Sequence, residues 1–187
     1  IELTKYAELI GADGALVVTP FYNKTTQDGL IKHYEAIASS TTLPIIVYSV
    51  PSRTGVNVTP NTCLELSKIP NIVGIKEASG NLSQVAEIAA LCGDNLHIYS
   101  GNDDQVLPTL SLGGKGVISV ISNIAPKKFT TMVDDFFNGD IEKATKVQLE
   151  SIELINALFI EVNPIPVKSA LNMIGYNFGI PRLPLVE

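Results

Sequence analysis

Long apolar runs are missing from this sequence. No stretch reaches the roughly 18 apolar residues that a membrane-spanning helix needs, so none is expected. No basic-then-apolar leader opens the chain either. Cysteine is scarce: Cys63 and Cys92 are the two, and no CxxC pair occurs. That excludes a secreted disulfide framework and favours a reducing, cytoplasmic setting. Positive charge is short as well, with 13 Lys and Arg against 19 Asp and Glu and a formal net charge of -6. Such a balance excludes the basic footprint of a nucleic-acid binder and any pull toward an anionic membrane surface. Small anionic substrates stay open, provided cations are placed locally. Histidine amounts to His33 and His97, so no cluster with metal spacing and no Ser-His-Asp grouping is visible. No GxGxxG follows the first strand and no GxxxxGK[ST] occurs, which weakens Rossmann and P-loop readings.

What is present is an ordinary globular composition, 45% hydrophobic and 17% charged, long enough to bury a sizeable core. Short β-branched runs recur over 15–19, 45–48, 72–76, 97–100 and 116–120. Each is nearly continuous in apolar character, as parallel strands covered on both faces are. Amphipathic stretches over 29–39, 61–68 and 82–92 lie between them, and in the last Leu82, Val85, Ile88, Ala89 and Cys92 keep helical spacing. The alternation predicts an α/β fold. The presumptive strand ends carry Thr19 to Tyr22, Tyr48, Lys76, Ser100 to Asp104 and Ser119. Polar chemistry gathered at C-terminal strand ends favours a (β/α)8 barrel over a doubly wound sheet. A whole barrel takes about 250 residues and eight strands, so a partial barrel is expected, about three strands short. The chain opens at Ile1 in what reads as mid-helix, as a fragment would. Residues 1–138 read as the C-terminal part of the barrel and 139–187 as a helical segment. Within the latter, 141–160 reads as one helix, and Asn163-Pro164-Ile165-Pro166 as the opening of another.

Lys76 ends the run Ile72-Val73-Gly74-Ile75, which places its amine at the barrel mouth among apolar neighbours. Desolvation there would favour the neutral amine that Schiff-base formation requires; a lysine reaching solvent fits position alone better. Tyr48, at the neighbouring strand end, is either a proton shuttle or an amphipathic core cap. Tyr22 is either its relay partner or a packing residue. Arg53, in the turn-rich Pro51-Ser52-Arg53-Thr54-Gly55, can grip a carboxylate with two hydrogen bonds or serve a surface ion pair. Asp103 and Asp104 precede a helical segment over 105–112 and read as its cap. Gly113-Gly114-Lys115-Gly116 leads into a strand, not a helix, and reads as a connecting turn.

Several motifs in one order resemble the dihydrodipicolinate synthase family. They are Val18-Thr19-Pro20-Phe21-Tyr22-Asn23, Tyr48-Ser49-Val50-Pro51-Ser52-Arg53-Thr54-Gly55, Gly74-Ile75-Lys76-Glu77-Ala78-Ser79-Gly80, Gly113 to Val120 and Asn163 to Lys168. The resemblance implies a class I aldolase-type barrel, usually a homotetramer built as a dimer of dimers. It implies condensation of pyruvate with aspartate semialdehyde in diaminopimelate and lysine biosynthesis, with no metal or organic cofactor. By resemblance Lys76 forms the Schiff base and Tyr48 moves protons. Arg53 binds the semialdehyde carboxylate, and Tyr22 reaches a neighbouring subunit's site. Ile118 and Gly101 border the pyruvate pocket. The family's Gly-Thr-Thr-Gly-Glu segment is absent, so these residues alone are expected to be inactive. Phe21 stands where lysine-inhibited members often carry tyrosine. Two other readings remain open: a sister pyruvate-dependent lyase such as N-acetylneuraminate lyase or a 2-keto-acid aldolase, and a non-catalytic barrel fragment.

Overall fold

A computed structural model describes residues 1–186. They group into two compact units, the first formed by residues 1–102 and 108–117, the second by 103–107 and 118–186. No helix among the described residues is long and apolar enough to cross a membrane.

In the first unit α1 (Glu2–Leu9) precedes β1 (Ala15–Val18), and α2 (Gln27–Ala38) leads to β2 (Ile45–Ser49). Two helices follow, α3 (Pro51–Thr54) and α4 (Pro60–Leu66), then β3 (Ile72–Glu77), α5 (Leu82–Cys92) and β4 (His97–Ser100). The helix α6 (Val106–Ser111) leads to β5 (Gly116–Val117). All five strands are parallel and lie in sequence order, β1-β2-β3-β4-β5. That singly wound order is the one a barrel uses; a doubly wound sheet would reverse direction part-way.

Local sequence explains the helix starts. The Thr26 hydroxyl accepts the Gly29 N–H at 3.2 Å, and Asn81 Oδ1 accepts those of Ser83 and Gln84 at 3.0 and 3.2 Å. Each such cap contributes about 1 kcal/mol. Pro60 fills the first turn of α4 behind the Thr59 cap, where a missing N–H costs little. One face of each helix then buries against the sheet. Leu30, Tyr34 and Ile37 of α2, Cys63 and Leu66 of α4, and Val85, Ile88 and Cys92 of α5 pack with Ile45, Val47, Ile72, Ile75 and Ile98. Both cysteines are free thiols within this layer.

The opposite sheet face carries Ile46, Tyr48, Lys76 and Tyr99, all half-buried. Between Ile45 and Ile46 the register of β2 against β3 shifts: Ile45 pairs with Ile72, but Ile46 pairs with Gly74. The extra residue in β3 is a β-bulge, and it moves every later side chain of that strand to the other face.

At the N-terminal strand ends, Asn71 acts as a clamp. Its Nδ2 donates to the carbonyls of Ala38, Thr41 and Leu43 at 3.0, 3.1 and 3.4 Å, joining the end of α2 to the starts of β2 and β3.

The second unit contains α7 (Pro126–Phe137), α8 (Ile141–Glu150), α9 (Ile152–Leu158) and α10 (Ile165–Met173). Residues 141–160, expected as one helix, are two. At the break Ser151 turns its hydroxyl back onto the Val147 carbonyl at 2.6 Å, a bond that bends helices. The fifth strand is also shorter than the expected 116–120. The N–H groups of Val120 and Ile121 donate to Asp103 Oδ2 at 3.0 and 2.8 Å and start a 3-10 turn over Ile121–Asn123. Asp103, read from sequence as a cap for α6, therefore caps this other turn. The turn at Gly113–Gly114 connects α6 to β5 as expected, with Gly114 so close to the Thr109 carbonyl that a Cβ would lie 2.7 Å from its oxygen.

Replacing Asn71 with alanine leaves three carbonyls short of a donor at the end of the sheet remote from Lys76. Asn71→Ala is expected to lower stability by about 1–3 kcal/mol, read as a lower midpoint in urea at unchanged slope. Chemistry at Lys76 should be unaffected.

Candidate active site

Lys76 and Tyr48 are cross-strand partners, one at the C-terminal end of β3, the other of β2. The bulge puts both on the half-buried face. There the Lys76 Nζ sits over the Tyr48 ring, 4.3 Å from its centroid. A ring face attracts an ammonium by about 0.5–2 kcal/mol, so the contact fixes where the resting lysine head lies. On the other side Lys76 pairs with Tyr99, whose ring occupies space left by Gly74 and Gly116; a Cβ on Gly74 would approach it to 3.4 Å. Tyr99 was missed from sequence, because His97-Ile98-Tyr99-Ser100 reads as an undifferentiated strand.

The Tyr48 phenol titrates above its ordinary range because burial disfavours the phenolate; the Arg53 guanidinium pulls in the opposite direction. Arg53 itself is exposed. Arg53 lies in the single turn of α3, which ends at Gly55 in a left-handed conformation, φ 71°. The turn is pinned from below by Thr54, whose hydroxyl accepts from Thr19 at 3.2 Å and donates to the Val50 carbonyl. Thus Lys76 meets the Tyr48 ring, while Arg53 lies in the short helix that directly follows β2.

Gly101 follows β4 and crowds the lysine. A Cβ there would lie 2.6 Å from the Ala78 Cβ, 3.0 Å from the Glu77 carbonyl oxygen and 3.2 Å from the Lys76 Cε. Only a residue without a side chain fits. Its N–H donates to the Glu77 carbonyl at 2.7 Å, extending the ladder past the strand end.

Tyr22 stands apart. It is 90% exposed on the loop between β1 and α2, where it and Lys24 both take positive φ, 67° and 55°. Two non-glycine residues held in that region store about 1–3 kcal/mol each. The Lys24 stem lies over Gly55, its Cε 2.8 Å from where a Cβ would be. Ile118 is half-buried and opens the second unit's long segment, directly after β5.

The C-terminal ends of β1 to β4 each carry a buried polar residue on the helix-facing side: Thr19, Ser49, Glu77 and Ser100. Ser49 Oγ accepts the Val58 N–H at 3.2 Å, and Ser100 Oγ both donates to the Asn102 carbonyl and accepts its N–H. The sequence marks Thr19 and Ser100 as polar strand ends but gives Ser49 and Glu77 no role of their own. Among the described residues no three His, Cys, Asp or Glu side chains gather as metal ligands.

The model of the dihydrodipicolinate synthetase family matches residues 1–187. A 4-hydroxy-tetrahydrodipicolinate synthase from Caldicellulosiruptor saccharolyticus is 61% identical over 185 residues, 99% of this chain and 62% of the relative. Another from Clostridium novyi is 55% identical over 187 residues, 100% of this chain and 63% of the relative. The chain thus spans less than two thirds of these relatives' length. Among solved structures, dihydrodipicolinate synthase from Thermotoga maritima superposes with a TM-score of 0.96 at 47% identity, covering 99% of this chain and 64% of that one. The Acinetobacter baumannii enzyme, solved in complex with pyruvate, gives 0.95 at 45% identity with the same coverage. The five strands are therefore part of a (β/α)8 barrel, and with a family model spanning all 187 residues the chain belongs to the dihydrodipicolinate synthetase family.

Proposed function

We propose that this chain supplies the Schiff-base machinery of a cytoplasmic 4-hydroxy-tetrahydrodipicolinate synthase, which condenses pyruvate with L-aspartate 4-semialdehyde on the route to diaminopimelate and lysine. The Lys76 Nζ seated over the Tyr48 ring, 4.3 Å from its centroid, is the observation that carries the reading.

In this reading the free amine of Lys76 adds to the pyruvate ketone and gives a carbinolamine. Tyr48, kept protonated by burial, donates the proton with which the hydroxyl leaves as water. The iminium is an electron sink, so a methyl proton is lost and the enamine forms. The enamine carbon attacks the semialdehyde carbonyl, and the new alkoxide takes up a proton. The substrate's own amine then attacks the iminium carbon, closes the ring and expels Lys76. Arg53 holds the semialdehyde carboxylate by a two-point charge-assisted contact. Ile118 lines the pyruvate pocket, and Gly101 leaves the lysine room to swing. Tyr22, exposed on its strained loop, is offered to a second copy of the chain in a homotetramer built as a dimer of dimers. Residues 1–138 belong to the barrel in this scheme, and 139–187 form the helical segment that follows it.

Borohydride reduction of the full-length enzyme with pyruvate, followed by mass spectrometry, is expected to find a reduced pyruvate adduct on Lys76. Lys76→Ala should abolish it. A folded enzyme that yields no adduct would overturn the assignment.

Arg53→Ala is expected to raise the semialdehyde KM by about 10- to 100-fold while pyruvate trapping stays within twofold. Equal losses for both substrates would sink the carboxylate role.

Gly101→Ala forces a methyl against Ala78 and the lysine stem. The rate of pyruvate adduct formation should fall by about 10-fold or more, measured by single-turnover trapping, with the circular-dichroism spectrum unchanged.

A further inference from the structure

Glu77 follows the lysine directly, but its side chain turns to the helix-facing side of the sheet, where it is 2% exposed. Nothing in the chemistry above uses it. Both its oxygens accept the Ser79 N–H at 3.2 Å, and Oε1 also accepts Gln84 Nε2 at 2.8 Å. Gln84 in turn exchanges two hydrogen bonds with Asn57. Asn57 Nδ2 donates to Gln84 Oε1 at 2.7 Å, and Gln84 Nε2 donates to Asn57 Oδ1 at 3.1 Å. The Asn57 carbonyl accepts Gln27 Nε2 at 2.8 Å, while Gln27 Oε1 accepts the Thr59 N–H at 3.1 Å and the Thr62 hydroxyl at 2.6 Å.

This chain of side chains ties together the loops that carry the candidate site. Gln27 opens α2, just past the Tyr22 loop; Asn57 lies four residues beyond Arg53; Glu77 and Ser79 follow Lys76. The Ser79 N–H and the Gln84 Nε2 both donate to the carboxylate. Burial raises the Glu77 pKa, and the Ser79 and Gln84 hydrogen bonds hold it down. A carboxylate so deeply buried is costly unless every donor stays in place. The geometry therefore resists any displacement of Asn57, and with it of the segment that follows Arg53.

Building on the function proposed above, we infer that Glu77 and Gln84 are positioning residues. Through Asn57 they fix the Arg53 segment relative to the Lys76 strand, and so set affinity for the second, carboxylate-bearing substrate without entering the Schiff-base step.

The test uses the full-length enzyme and two variants that break the chain at different links, Gln84→Met in the buried layer and Asn57→Ala at a half-buried site. Each is expected to raise the semialdehyde KM by about 10-fold while kcat and the yield of pyruvate adduct on Lys76 stay within about twofold. Gln84→Glu, which sets two carboxylates against each other, should be worse than Gln84→Met. Adding Glu77→Gln to it should recover most of the KM rise. An unchanged semialdehyde KM in folded Asn57→Ala enzyme would overturn the inference. So would a parallel fall of kcat, adduct yield and both substrate affinities, which marks a merely structural role. Absence of the adduct from the parent enzyme would instead remove the Schiff-base reading itself, so the two failures are distinguishable.

Discussion

Side chains alternate along a strand, so with Ile72 on the helix-facing side a straight β3 would send Gly74 and Lys76 there too. The one-residue shift between Ile45 and Ile46 prevents this. It keeps Ile72 and Ile75 both buried against the helices and turns Lys76 to the face that holds Tyr48 and Tyr99. In straight register an amine would sit in the apolar helix layer, and Ile75 in place of the lysine would pair with Tyr48. The burial of two isoleucines and the placement of one lysine are therefore a single structural decision. Cross-strand pairing then does the rest, since partners in a parallel ladder share a face.

The two ends of the sheet solve different problems. At the N-terminal ends Asn71 collects three carbonyls and closes the connections tightly. At the C-terminal ends the buried layer of Thr19, Ser49, Glu77 and Ser100 supports loops that must hold charged and strained residues. Apolar residues at Ser49, Glu77 and Ser100 would remove the side-chain partners of the loop backbone at Val58, Ser79 and Asn102. Polarity under the mouth is the condition for irregular backbone above it.

Much of this was legible in the sequence. The β-branched runs mark all five strands, and the helical periodicity of Leu82 to Cys92 matches α5 residue for residue. Lys76, Tyr48 and Arg53 could be picked out because each ends or follows a strand, where a barrel gathers its chemistry. Long-range polar contacts were not legible. Asp103 caps a turn 17 residues away rather than the adjacent helix, and so shortens β5. Ser151 breaks an apolar-periodic run through a hydroxyl bond that periodicity cannot register. The bulge left no mark either, since Ile72-Val73-Gly74-Ile75 reads equally well straight or shifted. Gln84 lies outside the apolar positions of the 82–92 periodicity, and its burial and partners place it in the interior all the same.

Cys63 and Cys92 lie in the helix layer with their thiols pushed above the ordinary range, in both cases chiefly by burial. The thiolate is the species that reacts, and here it is both rare and shielded. To an alkylating reagent these 187 residues, folded, offer neither thiol. A single cysteine introduced on an exposed loop would accept a fluorophore or spin label cleanly, with both native thiols left in place and the core packing around them undisturbed.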